Sequence, residues 1–291
     1  MIRVNNLTYS YEKGRSTALK GLDLHIGEGE YIAVIGPNGC GKTTLIRHFN
    51  ALLIPSAGEV RVDEFSTRDS KSLLEIRRRV GMAFQNADNQ IVGMSVEEDV
   101  AFGPGNLGLP AVEVRQRVDQ ALAMVGLTGM RTRPPHTLSG GQKQLLALAG
   151  LLAMEPKIIV LDEPTASLDP EGKKKVLTLL QKLNRQGMGI IHVTHSMDEA
   201  SLAQRVLVMD QGELIADGRP DDILSRVEWL KSLGLAPPHI TELMWHLQQG
   251  GEDVSTSIFT TAAAVEEITA LLVRLRSSTN AYLPRKADGD V

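Results

Sequence analysis

The sequence predicts an α/β protein: a parallel-sheet core with an antiparallel β subdomain, an inserted α-helical subdomain and a small C-terminal helical extension. Three observations predict it. "YIAVI", "KIIVL" and "GIIHVT" are near-continuous apolar runs, the pattern of central parallel strands covered on both faces. "IRVNNLTYSY", "ALKGLDLHI" and "GEVRVDE" instead alternate apolar and polar residues, as antiparallel strands with one wet face do. Between "YIAVI" and a helix beginning near Thr43 lies the glycine-rich stretch "GPNGCGKTT".

The remaining elements follow in order. From Val96 to Thr137 the pattern turns helical and ends in Pro134-Pro135, which reads as the inserted subdomain. "RVLVMDQGELIADG" is a strand, a turn at Gln211-Gly212 and a returning strand. These elements divide the chain into a main domain (1–225), a helical extension (226–276) and a frayed tail (277–291). Val265, Ile268, Leu272 and Leu275 share one helical face of the extension, as do Leu243 and Leu247. Packing on their own domain is the default reading of that face.

Composition bounds the function. An apolar fraction of 42% and a charged fraction of 23% are those of an ordinary globular protein. The net charge is -4, and the longest basic block is Arg77-Arg78-Arg79, so no nucleic-acid footprint is expected. That block reads as a solvated helix end, with a lipid-facing patch as the alternative. A single cysteine, Cys40, excludes an internal disulfide and a cysteine-based zinc site. With no basic-then-apolar leader and no apolar run near the ~18–20 residues of a membrane span, a cytoplasmic location is expected, with docking on a membrane protein left open.

"GPNGCGKTT" (residues 36–44) fits the P-loop pattern G-x-x-x-x-G-K-[ST], and its strand–loop–helix context supports nucleotide binding. Gly36, Gly39 and Gly41 permit a backbone that wraps phosphate oxygens, with Asn38 and Cys40 between them and Thr44 at the start of the helix. Lys42 is expected to reach the β- and γ-phosphates and Thr43 to ligate Mg²⁺. At a helix N-terminus the Cys40 thiol is expected to have a lowered pKa, so that alkylation blocks hydrolysis; an inert residue turned away is the alternative.

Asp162 and Glu163 stand at the C-terminal end of "IIVLD", the edge where open α/β sheets bind ligands. Asp162 is expected to hold Mg²⁺ through water, and Glu163 to orient or deprotonate the attacking water. His195 ends "HVTH" and reads either as a strand-end hydrogen-bonder or as a contact to the γ-phosphate. Gln85 also ends a strand, where its amide reaches Mg²⁺ or the attacking water, or is an ordinary turn residue. A second anion cradle, "LSGGQ", runs from Ser139, Gly140 and Gly141 into an apolar helix.

Together "GPNGCGKTT", "FQNADNQ", "LSGGQ", "IIVLDEPT", "SLDP" and "HVTH" resemble, in order and spacing, the ATP-binding-cassette ATPases over residues 1 to about 225. The stretch 84–110 and the C-terminal "LGLAPPHITELMWHL" and "AAAVEEITALL" are similar to the ATPases of energy-coupling-factor vitamin and metal importers. The resemblance implies an ABC-type P-loop fold, a head-to-tail dimer, homodimeric or with a related ATPase, and dimerisation through the apolar face of the extension (226–276). In it Ser139, Gly140, Gly141 and Gln142 meet the partner's ATP, Asp169 couples the two sites, and Tyr11 stacks on adenine; an outward strand aromatic is the other reading of Tyr11. It also implies ATP and Mg²⁺ as cofactors, a transmembrane coupling subunit received by residues 86–106, a substrate-binding membrane subunit, and a place on the cytoplasmic face of the membrane. Other ABC transporters, and soluble cassette proteins acting on nucleic acid or ribosomes, are the rival readings. One departure stands out: Leu145 occupies a position where the family usually carries Arg.

Overall fold

The computed structural model describes residues 1–11 and 17–280. The strands form two sheets. β1 (Ile2–Ser10), β2 (Thr17–Ile26), β4 (Ala57–Val62) and the short β5 (Phe65–Ser66) make an antiparallel sheet in the order β2-β1-β4-β5. The second sheet contains β3 (Tyr31–Ile35), β6 (Val80–Ala83), β7 (Ile158–Asp162), β8 (Gly189–Val193), β9 (Arg205–Asp210) and β10 (Glu213–Gly218), ordered β10-β9-β3-β8-β7-β6. All its pairings are parallel except the β9–β10 hairpin.

The apolar runs explain that sheet, because every residue of β3, β7 and β8 is buried. Side chains alternate between faces. Ile32, Val34, Ile158, Val160, Ile191 and Val193 point into a core shared with the antiparallel sheet and α1 (Lys42–Phe49). Tyr31, Ala33, Ile35, Ile159, Leu161 and Ile190 point the other way, into a core capped by helices. Before β6 runs α2 (Leu73–Arg79); Arg79 closes it by pairing with Asp63 and Glu75 and lying over the Phe65 ring.

The helical layer comprises α3 (Val96–Asn106), α4 (Ala111–Val125) and α5 (Gly140–Leu152). It extends past Thr137, the expected end of the insertion, since α5 packs on both α3 and α4. Pro134-Pro135 forms only a short 3-10 turn between them. Beyond β7 come α6 (Pro170–Arg185), the short α7 (Met197–Ala200), α8 (Pro220–Leu224), α9 (Val227–Ser232), α10 (His239–Gln249) and α11 (Thr261–Asn280).

The C-terminal boundary differs from the expectation. Leu230 and Leu235 belong to the main core, so a cut at residue 225 passes through it. We place the division near Pro237-Pro238, after which a small separate cluster forms around Met244, Val254, Ile258, Ala264 and Leu271. Ile268 and Leu247 pack against that cluster, whereas Val265, Leu272, Leu275 and Leu243 are exposed. His239 at the start of α10 ties the extension back: its Nδ1 lies 2.6 Å from Asp198 Oδ2 on α7. The segment expected to fray from residue 277 continues as helix to Asn280, and 281–291 lie outside the described residues.

The β9–β10 turn bears directly on the phosphate loop. Gln211 and Gly212 have φ of 47° and 84°, the two positive values that a tight hairpin turn requires. Gly212 N–H donates to the Cys40 carbonyl at 2.9 Å, and its own carbonyl accepts from Lys20 N–H at 2.9 Å. A Cβ on Gly212 would stand 2.7 Å from the Ala18 carbonyl oxygen. Gly212→Ala is therefore expected to cost about 1–3 kcal/mol of stability and to weaken nucleotide binding by displacing Cys40; thermal unfolding with and without ATP reads both.

Candidate nucleotide site

β3 ends in Ile35 and the chain turns at once into residues 36–41. Gly36, at φ 151°, lies so close to the Met209 carbonyl that any Cβ would strike it. Gly39 and Gly41 also have positive φ, and Asn38 and Gly39 are exposed at the crown of the loop. The Lys42 ammonium turns back onto the loop, donating to the Gly36 and Pro37 carbonyls at 2.7 and 2.9 Å. Thr44 is buried and shares a 3.0 Å hydrogen bond with the Tyr11 hydroxyl, which places Tyr11 beside the start of α1 with its ring half-exposed.

Cys40 corrects the sequence-based expectation. The residue is 3% exposed, and burial pushes its thiol pKa up rather than down; the nearby Lys42 charge opposes burial without overcoming it. The helix N-terminus and the Lys42 ammonium, 4.0 Å from Sγ, are both present, and burial outweighs them.

β7 delivers the carboxylates. Asp162, 7% exposed, accepts from Thr43 Oγ1 at 2.9 Å, joining the strand end to the loop. Burial, with the neighbouring Glu163 charge, pushes its carboxyl pKa up, against the pull of the Thr43 hydrogen bond and of Arg47 and Lys42. A buried carboxyl held this way, beside a hydroxyl, fits a cation bound with the help of a substrate's own phosphates. No group of three or more His, Cys, Asp or Glu among the described residues forms a metal cage.

Glu163 takes φ 50°, a left-handed conformation rare for glutamate and typical of functional positions. Its backbone N–H still donates to the Val193 carbonyl at 3.0 Å, so the strain is held between two strands. Its carboxylate sits between His195 Nε2 at 2.7 Å and Gln85 Nε2 at 3.2 Å. Lys42, Thr43, Gln85, Asp162, Glu163 and His195 thus converge at the carboxyl edge of the sheet.

The second cradle is elsewhere. Ser139 caps α5, accepting from Gln142 N–H at 3.3 Å while Gln142 Oε1 accepts from Ser139 N–H at 2.9 Å, a capping box. Gly140 and Gly141 are therefore the first helical residues rather than a free turn. Ser139, Gly141, Gln142 and Asp169 line a cavity of about 340 Å³ together with Gly172 and Leu145. No residue of the phosphate loop reaches it. Asp169 caps α6 through Gly172 N–H at 3.0 Å. Leu145 is buried against the helical core, so an apolar side chain fills the position where the family usually carries Arg.

Reading the sequence alone overlooked three groups. Gly172 lets α6 approach α5, since a Cβ on Gly141 would already stand 3.2 Å from the Gly172 Cα. The buried Glu199 and His192 lie behind Thr194 and His195. No periodic or motif signal marks them, because they read as a first-turn helix acid and a strand residue.

The chain belongs to the ABC transporter family, whose model matches residues 19–166. It is 50% identical over 270 residues to the "cobalt import ATP-binding protein CbiO" of Syntrophus aciditrophicus, covering 93% of this chain and 96% of that protein. It is 48% identical over 272 residues to the "energy-coupling factor transporter ATP-binding protein EcfA1" of Caldanaerobacter subterraneus subsp. tengcongensis, covering 92% and 98%. Among solved structures, CbiO1 of Clostridium perfringens, part of an ABC transporter complex named CbiONQ, matches with a TM-score of 0.73 and 40% identity over 84% of this chain and 98% of that one. A dimeric cassette, MJ0796, bound to ADP and Pi matches with a TM-score of 0.68 and 34% identity over 76% and 99%.

With its thiol buried, Cys40 is expected to react with iodoacetamide at least about 10-fold more slowly in the native chain than in guanidinium. Mass-spectrometric labelling rates measure this, and equal rates would refute the buried assignment.

Proposed function

We propose that this chain is the ATP-binding and ATP-hydrolysing subunit of an energy-coupling-factor importer, powering uptake of a vitamin or transition-metal ion through membrane partners. The observation that carries hydrolysis is the Glu163 carboxylate, held in a strained backbone between His195 and Gln85 beside the Thr43–Asp162 pair. The relatives named for cobalt import and energy coupling, each about half identical over most of the chain, support the importer class.

In this reading the backbone of Gly36, Asn38, Gly39, Cys40 and Gly41 wraps the phosphates, with Thr44 at the helix start and Tyr11 against the adenine. Lys42 leaves the Gly36 and Pro37 carbonyls for the β- and γ-phosphates, exchanging two neutral acceptors for charged ones. Thr43, Asp162 and Gln85 hold Mg²⁺, which when bound neutralises charge on the phosphate oxygens. Glu163 accepts the proton of the attacking water, and His195 keeps Glu163 aimed and contacts the γ-phosphate.

Ser139, Gly140, Gly141 and Gln142 act in trans, on nucleotide held by a second ATPase, either another copy or a related chain. The separation of the two cradles within one chain supports this: each is half a site, and head-to-tail pairing makes two whole ones. Asp169 then lies where the two chains meet.

No helix among the described residues is long and apolar enough to cross a membrane, so the proposed place on the cytoplasmic membrane face depends on partners. Residues 86–106 offer the docking surface. Asp99 accepts from Val92 and Gly93 N–H, fixing a loop that leaves Val92, Met94 and Phe102 exposed, Met94 at 84%. Such a patch suits an apolar helix of the coupling subunit, with a second, substrate-binding membrane subunit beyond it.

Two measurements check the reading. Glu163→Gln is expected to retain ATP binding, lose at least about 100-fold in turnover, and accumulate as an ATP-bound dimer; normal turnover would overturn the role of Glu163. Purification of the tagged chain from native membranes in mild detergent is expected to bring a polytopic protein, a small membrane protein and, in the heterodimer case, a second ATPase. Met94→Asp is expected to reduce that recovery without changing ATP affinity. Recovery of ribosomal proteins or nucleic acid alone would refute the transport assignment.

A further inference from the structure

Behind the catalytic edge lies a buried carboxylate that the proposed hydrolysis does not use. Glu199, on α7, is 3% exposed. Thr165 Oγ1 donates to it at 2.8 and 2.9 Å, Thr194 Oγ1 at 2.9 Å, and the Lys173 ammonium lies 2.7 Å from Oε1. His192 Nε2 is 3.1 Å from Oε2, and the Tyr31 hydroxyl is 3.4 Å from the other nitrogen of that ring. Burial by itself raises a carboxyl's pKa, but His192, Lys173 and Thr165 outweigh it and hold Glu199 down at about 2. A charge buried at this cost needs several donors, and a well-packed apolar cluster would stabilise the fold as well.

The donors come from different segments, each next to a residue of the site. Thr165 sits two residues after Glu163, in the loop that leads to Asp169. Lys173 is in the first turn of α6, and its N–H donates to the Asp169 carbonyl at 2.9 Å. Thr194 precedes His195, and its hydroxyl also accepts from Ser196 N–H at 3.0 Å. Tyr31 opens β3, the strand that runs into the phosphate loop.

We propose that Glu199 is a positioning residue that locks the loop carrying Glu163 and Asp169 to the strand end carrying His195, so that these groups move as one unit. The general base in one chain's own site and the aspartate facing the second ATPase then share a single anchor. This inference rests on the ATP-hydrolysing reading above.

The test uses the full-length chain, with ATP affinity, thermal stability and turnover measured for each variant. Glu199→Gln is expected to lower kcat about 10- to 100-fold while ATP affinity stays near that of the parent, because the loss is one of alignment. Thr165→Val is expected to follow it, and Thr165→Ser to restore turnover. In the Glu199→Gln/His195→Ala double variant the losses are expected not to multiply, since one residue acts through the other.

A folded Glu199→Gln chain that turns over at the parental rate would overturn the proposal. So would multiplicative losses in the double variant, which mark independent action. Should Glu199→Gln fail to fold, Thr165→Val decides, and unchanged kcat there refutes the lock. A parent chain that binds no ATP would instead refute the nucleotide reading beneath it.

Discussion

Burial of β7 on both faces confines its polar chemistry to the carboxyl end, where Asp162 and Glu163 emerge. The rest of the site depends on that constraint. A strand that is apolar throughout can present charge only as it leaves the sheet. β8 pairs with β7 and β3 with β8, all parallel, so the phosphate loop and His195 emerge at the same edge, while the one polar ring inside β8, His192, is held by Glu199. Convergence of the six candidate side chains is thus a result of parallel pairing and two-sided packing. The β9–β10 hairpin adds a fixed support from outside, through the Gly212 bond to Cys40.

The helical layer follows a different logic. α5 presents its N-terminus at Ser139 against α6, and the approach at Gly141 and Gly172 is close enough that a Cβ on Gly141 would stand 3.2 Å from the Gly172 Cα. This sets the second cradle beside Asp169 rather than beside Lys42. The position of Ser139 relative to α6 is therefore set by the packing of two helices.

Much of this was legible in the residues. Unbroken apolar runs mark the central strands because two-sided burial removes the polar alternation, and the Gln211-Gly212 pair marks a turn because it requires two positive φ values. The glycine spacing of 36–41 and the acids at 162–163 carry their own chemistry. What was not legible depended on long-range contacts. Cys40 has the local surroundings of a reactive thiol, and its burial, with a smaller contribution from the Asp210 charge, reverses the pKa. Val265 and Leu272 share a helical face with Ile268, yet the small Ala264 and the adjacent Leu271 are the residues covered, because periodicity gives a face without saying what lies on it. Glu199 reads as an ordinary first-turn acid until Thr165, 34 residues earlier, is seen to donate to it.

The His239–Asp198 contact joins the C-terminal extension to the short helix that follows His195. Asp198 is one residue from Glu199 and three from His195, and it receives both the ring nitrogen and the backbone N–H of His239. The extension therefore meets α7 through a polar contact at the surface, with the His239 side chain 89% and the Asp198 side chain 42% exposed. Ending the chain at residue 225 would remove that contact together with Leu230 and Leu235 of the main core.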